Sequence, residues 1–311
     1  MKQAFLIALI TGCAAGSFGQ ATLKITSAAK IKTTAGVYMV LRNSNLVSNG
    51  AIVQGAGNGT IKLTGNINTT CSGTGSLTLD KLEVAIDNGF ADTLKSPVSV
   101  ITLVTLTSGQ IVSNGNLTLK SDSITYLTAR IAPVVSPASN PLAGNVTVER
   151  YINSAARRAY RLLGPSVSSA TSIHANWQEG AIANYDNPHP RYGVQITGST
   201  VDQYNGFDQT QTGAPGLFTF NPASGWVAIA NTNVNILDVK TGYLLFIRGD
   251  RSYDLTQPGP GFIHNNTTLR ATGTVTTGTV TWSGLSGTAN ANALVTNPIL
   301  LLLTGQKYMK M

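Results

Sequence analysis

Apolar side chains in the first part of the chain come in short alternating runs. Ile61 and Leu63 alternate with Thr60, Lys62 and Thr64, Leu77 and Leu79 flank Thr78, and Leu117 and Leu119 flank Thr118. A two-residue period belongs to a strand with one buried and one wet face. Between the runs lie Ser48 to Gly50, Asn58 and Gly59, Ser72 and Gly73, Ser108 and Gly109, and Ser113 to Gly115, residue types that suit tight corners. From Ala21 to about Arg130 the pattern predicts many short strands joined by frequent turns. Val47 to Gly50 recurs as Val112 to Gly115, each time ahead of an alternating strand, which suggests an internal repeat. A parallel β-solenoid over residues 20–130 accounts for this best, with a β-sandwich as the alternative.

Ile131 to Asn145 contains Pro133, Pro137 and Pro141 among small residues, and reads as a Pro-rich linker that cannot continue a ladder. Beyond Val146 the texture changes: all three Trp and most of the Tyr and Arg lie there. A second, β-sandwich-like domain is expected over 146–298. Its strand candidates are Val146 to Ile152, Leu217 to Phe220, Trp226 to Ala230, Tyr243 to Ile247 and Thr272 to Trp282, with a strand also favoured near Tyr160 and Leu162. A short helix is expected from Ser172 to Gln178, stopped by Gly180.

Composition sharpens the all-β reading. Only 11% of the 311 residues are charged, against roughly 25% in a typical soluble domain. Solenoid rungs stack about 4.8 Å apart, so a charge repeated at one position would meet its own kind up the column. Such a pair costs about 1 kcal/mol in water and several times more near a low-dielectric surface, whereas Thr and Asn can pair up the stack. The net charge of +8 is spread thinly, without the basic stripe that a nucleic-acid partner needs.

The N-terminus has the order of a secretory signal peptide over residues 1–19: Lys2, the apolar run Ala4 to Ile10, then Ser17, Phe18 and Gly19 ahead of Gln20. Ile10, Thr11, Gly12 and Cys13 also resemble a lipobox, so lipoprotein processing at Cys13 is the second option. Cleavage after Gly19 leaves Cys71 as the one cysteine of the mature chain, and no internal disulfide can then form. No transmembrane helix is expected beyond the signal peptide.

Little chemistry stands out. His174, His189 and His264 lack metal-ligand spacing, and Gly55, Gly57 and Gly59 are not followed by a P-loop lysine. No Ser sits in a nucleophile elbow, and Cys71 has no nearby His. A solenoid polysaccharide lyase would need clustered acids, yet Asp80, Glu83, Asp87, Asp92 and Asp122 are scattered. No enzyme and no cofactor is expected. Trp177, Tyr185, Tyr192, Tyr204 and Phe207, with Asp186, Asp202 and Asp208, form a loop-rich stretch able to stack on and hydrogen-bond to sugars, although core anchoring is the commoner use of such rings. Arg248, Gly249 and Asp250 spell an integrin-recognition tripeptide that reads better as a turn after a strand.

Val148 to Ile152, Arg157 to Leu163, Trp177 to Gly180, Gly206 to Asp208, Thr241 to Arg251 and Thr267 to Val280 together resemble a recurrent module of large surface proteins in bacteria that use type IX secretion. Gly73 to Leu82 and Leu106 to Leu119 resemble what usually precedes that module. The resemblance implies a secreted or surface-attached, adhesin-like protein, with extracellular glycan or cell-surface matrix as partner and no catalytic residues to carry over. The family pattern continues after Asn297 and Pro298 with Tyr, Pro, Ser, x, Ile, Asp, Trp and a C-terminal sorting domain. Codons able to encode Ile299 to Met311 can encode those residues in another frame. Residues 299–311 are therefore expected to be a frameshifted tail, leaving the second domain incomplete at its C-terminal edge and a periplasmic location as the alternative to the cell surface.

Overall fold

A computed structural model describes residues 20–125, 127–134, 141–153, 158–182, 186–198, 205–257, 265–278, 280–282 and 293–297. The first half is a parallel β-solenoid of about four turns. One wall stacks β1 (Ala21–Ile25), β4 (Ser44–Ser48), β7 (Thr69–Ser72), β9 (Ala91–Leu94), β11 (Gln110–Val112) and β14 (Leu142–Ala143). A second wall stacks β2 (Lys30–Ile31), β5 (Ala51–Val53), β8 (Leu77–Ile86), β10 (Val98–Ser108), β12 (Leu117–Leu119) and β15 (Val146–Ile152). The third is formed by β3 (Tyr38–Arg42), β6 (Thr60–Gly65), the C-terminal parts of β8 and β10, and β13 (Arg130–Ile131). In β8 and β10 the strand runs through the corner, and β10 takes up the bend as a register shift between Val100 and Leu103.

The alternation read from the sequence becomes three columns of inward side chains. Leu46 stacks on Cys71 and Cys71 on Leu94; Ile52, Leu77, Val98, Leu117 and Val146 follow one another; Ile61, Leu82, Val104 and Ile131 make the third. All of these are buried in one core. Each contributes about 1.5–3 kcal/mol relative to exposure, Cys71 less. The tightest corner is where Gly75 passes over Gly50: a Cβ on Gly75 would overlap the Gly50 carbonyl oxygen.

Polar groups also repeat from rung to rung. Inside one corner Gln54 donates to Thr33 Oγ1, the Asp80 amide donates to Gln54 Oε1 (2.9 Å), and Thr102 Oγ1 donates to Asp80 Oδ1 (2.5 Å). Outside, Asn43 Nδ2 donates to Asn66 Oδ1 (2.9 Å), and Asn45 Oδ1 accepts from the Thr70 amide (2.9 Å). On the outer face Lys62 stands opposite Glu83 at 2.7 Å. Charges that share a column are thus of opposite sign here.

The expected break in the ladder over 131–145 is not what the structure shows. β14 pairs with β11, and β15 continues the second wall on β12. Pro141 lacks a donor, but its carbonyl accepts from the Ile111 amide (3.0 Å). β14 is the last strand of its wall, where a missing N–H breaks nothing.

β15 is shared. Its far edge pairs antiparallel with β20 (Thr267–Gly273), Val148 opposite Ala271. Pairing with β15 sets that range, so the strand expected over 272–282 begins earlier and ends at Gly273. A separate four-stranded antiparallel sheet has the order β16 (Ala159–Leu163), β19 (Tyr243–Ile247), β17 (Leu217–Asn221), β18 (Gly225–Ala228). Helix α1 (Ile173–Trp177), capped by Ser172 Oγ accepting from the Ala175 amide, joins the layers. Asn176 Oδ1 accepts from the Thr272 amide of β20 (2.8 Å), and the Trp177 ring meets Tyr243 of β19 edge-on at 5.3 Å.

Candidate functional site

The five aromatic residues singled out in the sequence do not gather into one described surface. Trp177 is 3% and Phe207 8% exposed, and both belong to the core. Phe207 is held against Gly198, where a Cβ would strike its ring. Tyr192 is half-buried, with the Arg270 guanidinium 4.2 Å from its ring centroid. Arg270 also pairs with Glu179, whose carboxylate lies 3.3 Å from His189 Nδ1. Tyr185, Tyr204 and Asp202 lie outside the described residues. Asp186 accepts from the Ile182 amide, and Asp208 is buried in a two-point pair with Arg251 at 2.6 and 2.9 Å.

The other sequence candidates are structural. Asp250 is buried and accepts from the amides of Arg191 and Ser252, so the tripeptide at 248–250 is a turn without an open carboxylate. Gly57 and Gly59 form a solenoid corner between β5 and β6. Burial, then the Asp92 carboxylate, pushes the Cys71 thiol well above its ordinary range. Burial likewise raises Asp92, against hydrogen bonds from Thr69 and Cys71 that lower it. Among the described residues no three His, Cys, Asp or Glu side chains come together as metal ligands.

A cleft of about 780 Å³ lies between the solenoid and the two-layer half. Its floor is apolar, with Val148, Leu163 and Leu269, and Lys81, Arg130 and Arg150 line it. No His or Cys is among the described lining residues, and the carboxylates on it are those of Asp122 and Glu149.

The feature that stands out is the outer face of the four-stranded sheet. Pairing sets Tyr160 opposite Phe246, Leu162 opposite Leu244, Phe218 opposite Leu244, and Phe220 opposite Trp226. Every strand therefore gives an aromatic ring to the same face. Tyr160 meets Phe246 at 4.8 Å and Phe218 at 6.0 Å, and Phe220 meets Trp226 at 5.2 Å, all edge-to-face. Leu163, Tyr243, Leu245 and Leu217 take the inner face and are buried. The outer face stays partly open: Tyr160 is 49%, Leu162 60% and Trp226 43% exposed. An apolar patch of this kind marks a contact surface more often than a stray ring does. At one end the Arg248 guanidinium lies 4.4 Å, and that of Arg158 5.6 Å, from the Phe246 centroid. Burial, then repulsion from Arg158, lowers Arg248 to about 10, so it stays charged at neutral pH.

These residues were missed because Leu217 to Phe220 and Tyr243 to Ile247 read only as strands. The available signal was that both phases of Tyr243 to Ile247 are apolar, which asks for cover on two faces. Comparison with protein-family models, with curated proteins and with solved structures finds no match. Among the described residues no helix is long and apolar enough to cross a membrane.

Proposed function

We propose that this chain is a non-catalytic, adhesin-like protein of the cell exterior, in which the solenoid is a spacer and the outer face of the four-stranded sheet binds carbohydrate. The observation that carries the reading is the row of rings, one from each strand, on one face, with Tyr160 and Trp226 about half exposed and the Phe rings between them partly buried. Flat aromatic surfaces suit the apolar faces of pyranose rings, and the strands hold them in place without a loop having to order on binding. Export rests on the signal-like N-terminus and on the resemblance to type IX surface proteins.

The test is a glycan array probed with the full chain and with Trp226→Ala and Tyr160→Ala. Both side chains are about half exposed, so the variants should fold, and each should lose about tenfold in affinity for any glycan bound. Binding that ignores both substitutions, or an array blank with the wild type, defeats the reading.

A further inference from the structure

Basic and apolar groups meet in the cleft beside the solenoid. Lys81 and Arg130 both pair with Leu103, from the rungs on either side of it, so they share one outward column about 10 Å apart. Thr128 Oγ1 donates to the Glu149 carbonyl (3.1 Å), which sets the approach to Arg130 against the part of β15 that carries Arg150. All three cations line the cleft, and among the described residues none of them has a hydrogen-bond or ion-pair partner. The neighbouring carboxylates are taken. Glu149 accepts from Lys120 Nζ (2.7 Å) and the Ser121 amide (3.3 Å), and Glu83, two residues along from Lys81, pairs with Lys62 (2.7 Å). Asp122 accepts from the amides of Ile124 and Thr125, and such hydrogen bonds, with no cation among the causes, hold it below its ordinary pKa. Arg150 is exposed, yet the protein around it takes enough of its water to lower its pKa, and no carboxylate offsets that. The rest of the lining is largely apolar. Val148, Leu163 and Leu269 are buried, while Leu127 is 64%, Leu162 60% and Val295 46% exposed.

We propose that this cleft binds an anionic amphiphile, its carboxylate or phosphate head against Lys81, Arg130 and Arg150 and its aliphatic tail over Val148 and the lining leucines. The inference stands apart from the carbohydrate reading of the aromatic face. The head supplies the acceptors that the protein does not, and guanidinium donors suit its paired oxygens. The tail takes the exposed Leu127, Leu162 and Val295 out of water. A volume of about 780 Å³ lies within the roughly 300–1,000 Å³ of small-molecule sites. An acidic sugar would meet the cations and leave the apolar lining wet, and a neutral lipid would do the reverse.

Isothermal titration of the full chain tests it, with dodecyl phosphate, dodecanoate and neutral dodecyl maltoside, each below its micelle concentration, and with inorganic phosphate and galacturonate oligomers. The two anionic amphiphiles should bind at least about tenfold tighter than the other three, and their affinity should fall as salt rises. Arg150→Gln and Arg130→Gln, both at exposed side chains, should each weaken the anionic amphiphiles about tenfold and leave dodecyl maltoside unchanged. Leu127→Ser should weaken every dodecyl ligand, and Trp226→Ala, on the aromatic face, none. Circular dichroism checks that each variant folds. Vesicles of phosphatidylcholine and phosphatidylglycerol in equal parts distinguish the source. Binding to them that is lost in Arg150→Gln names a membrane lipid, binding of the dodecyl anions alone names a free amphiphile, and either supports the site. Equal affinity for dodecyl maltoside and dodecyl phosphate overturns it, as does inorganic phosphate or galacturonate binding as tightly as dodecyl phosphate. So does the absence of any binding by the wild type, and each of these leaves the carbohydrate reading of the other face untouched.

Discussion

The solenoid and the four-stranded sheet are built from the same alternating strands, yet they differ in what stands at many of their outward positions. On the solenoid, outward and corner groups find partners on the next rung: Lys62 meets Glu83, Asn43 meets Asn66, and Thr70 meets Asn45. On the sheet, the outward positions that stand out are rings packed edge to face, with the Arg158 and Arg248 guanidiniums against Phe246. The solenoid groups named here are met within the chain, while β3 still exposes Tyr38 and Val40. The sheet leaves Tyr160, Leu162 and Trp226 about half exposed, as expected of the contact face proposed above.

Substitutions should break this contrast in a set order. Asp208→Ala should cost most, about 3–5 kcal/mol, because it leaves Arg251 buried without its charge partner. Urea denaturation followed by circular dichroism measures it, and a loss below about 1 kcal/mol would show that the loops do not depend on the pair. Gly75→Ala in the solenoid should cost about 2–3 kcal/mol, since the corner has no room above Gly50. Because β15 belongs to both ladders, a single transition is expected in each case.

Asp92→Asn sharpens the solenoid side. Asp92 is wholly buried, with Oδ2 accepting from Thr69 (2.6 Å) and Oδ1 unpartnered. Its native pKa is raised above 3.8, chiefly by burial, so the fold prefers it protonated. Its contribution to stability is complete below about 3.8 and is lost as pH rises through the raised native value. The Asn variant should therefore gain on the wild type as pH climbs from acid to neutral, and a constant difference across that range would refute the raised value. Smallest of all, Trp226→Ala should change stability by only about 1 kcal/mol while weakening any glycan binding about tenfold, since its ring pairs with Phe220 at a half-exposed edge.

Much of the solenoid was legible because its rule is local. Alternation in Thr60–Gly65 and Leu77–Ile86 names the buried face, and residues such as Asn114 and Gly115, both at positive φ, mark the corners. β14 escaped because two residues carry no period, and because the proline before it withholds a donor that an edge strand does not use. The helix and its Ser172 cap were readable from spacing alone. The site was not: whether a ring is core or surface depends on a distant partner. Trp177 is buried, its ring edge-on to Tyr243, whereas Trp226, on the edge strand β18, meets Phe220 and stays 43% exposed.

The sharing of β15 has a mechanical side. A head joined by a tether would swivel, and a tug on it would load one stretch of backbone. Here the strand is stitched along one edge to β12 and along the other to β20. A pull on β20 is therefore spread over two rows of backbone hydrogen bonds, whereas the four-stranded sheet, which shares no ladder with β15, is reached only through packing such as that of Trp177 on Tyr243.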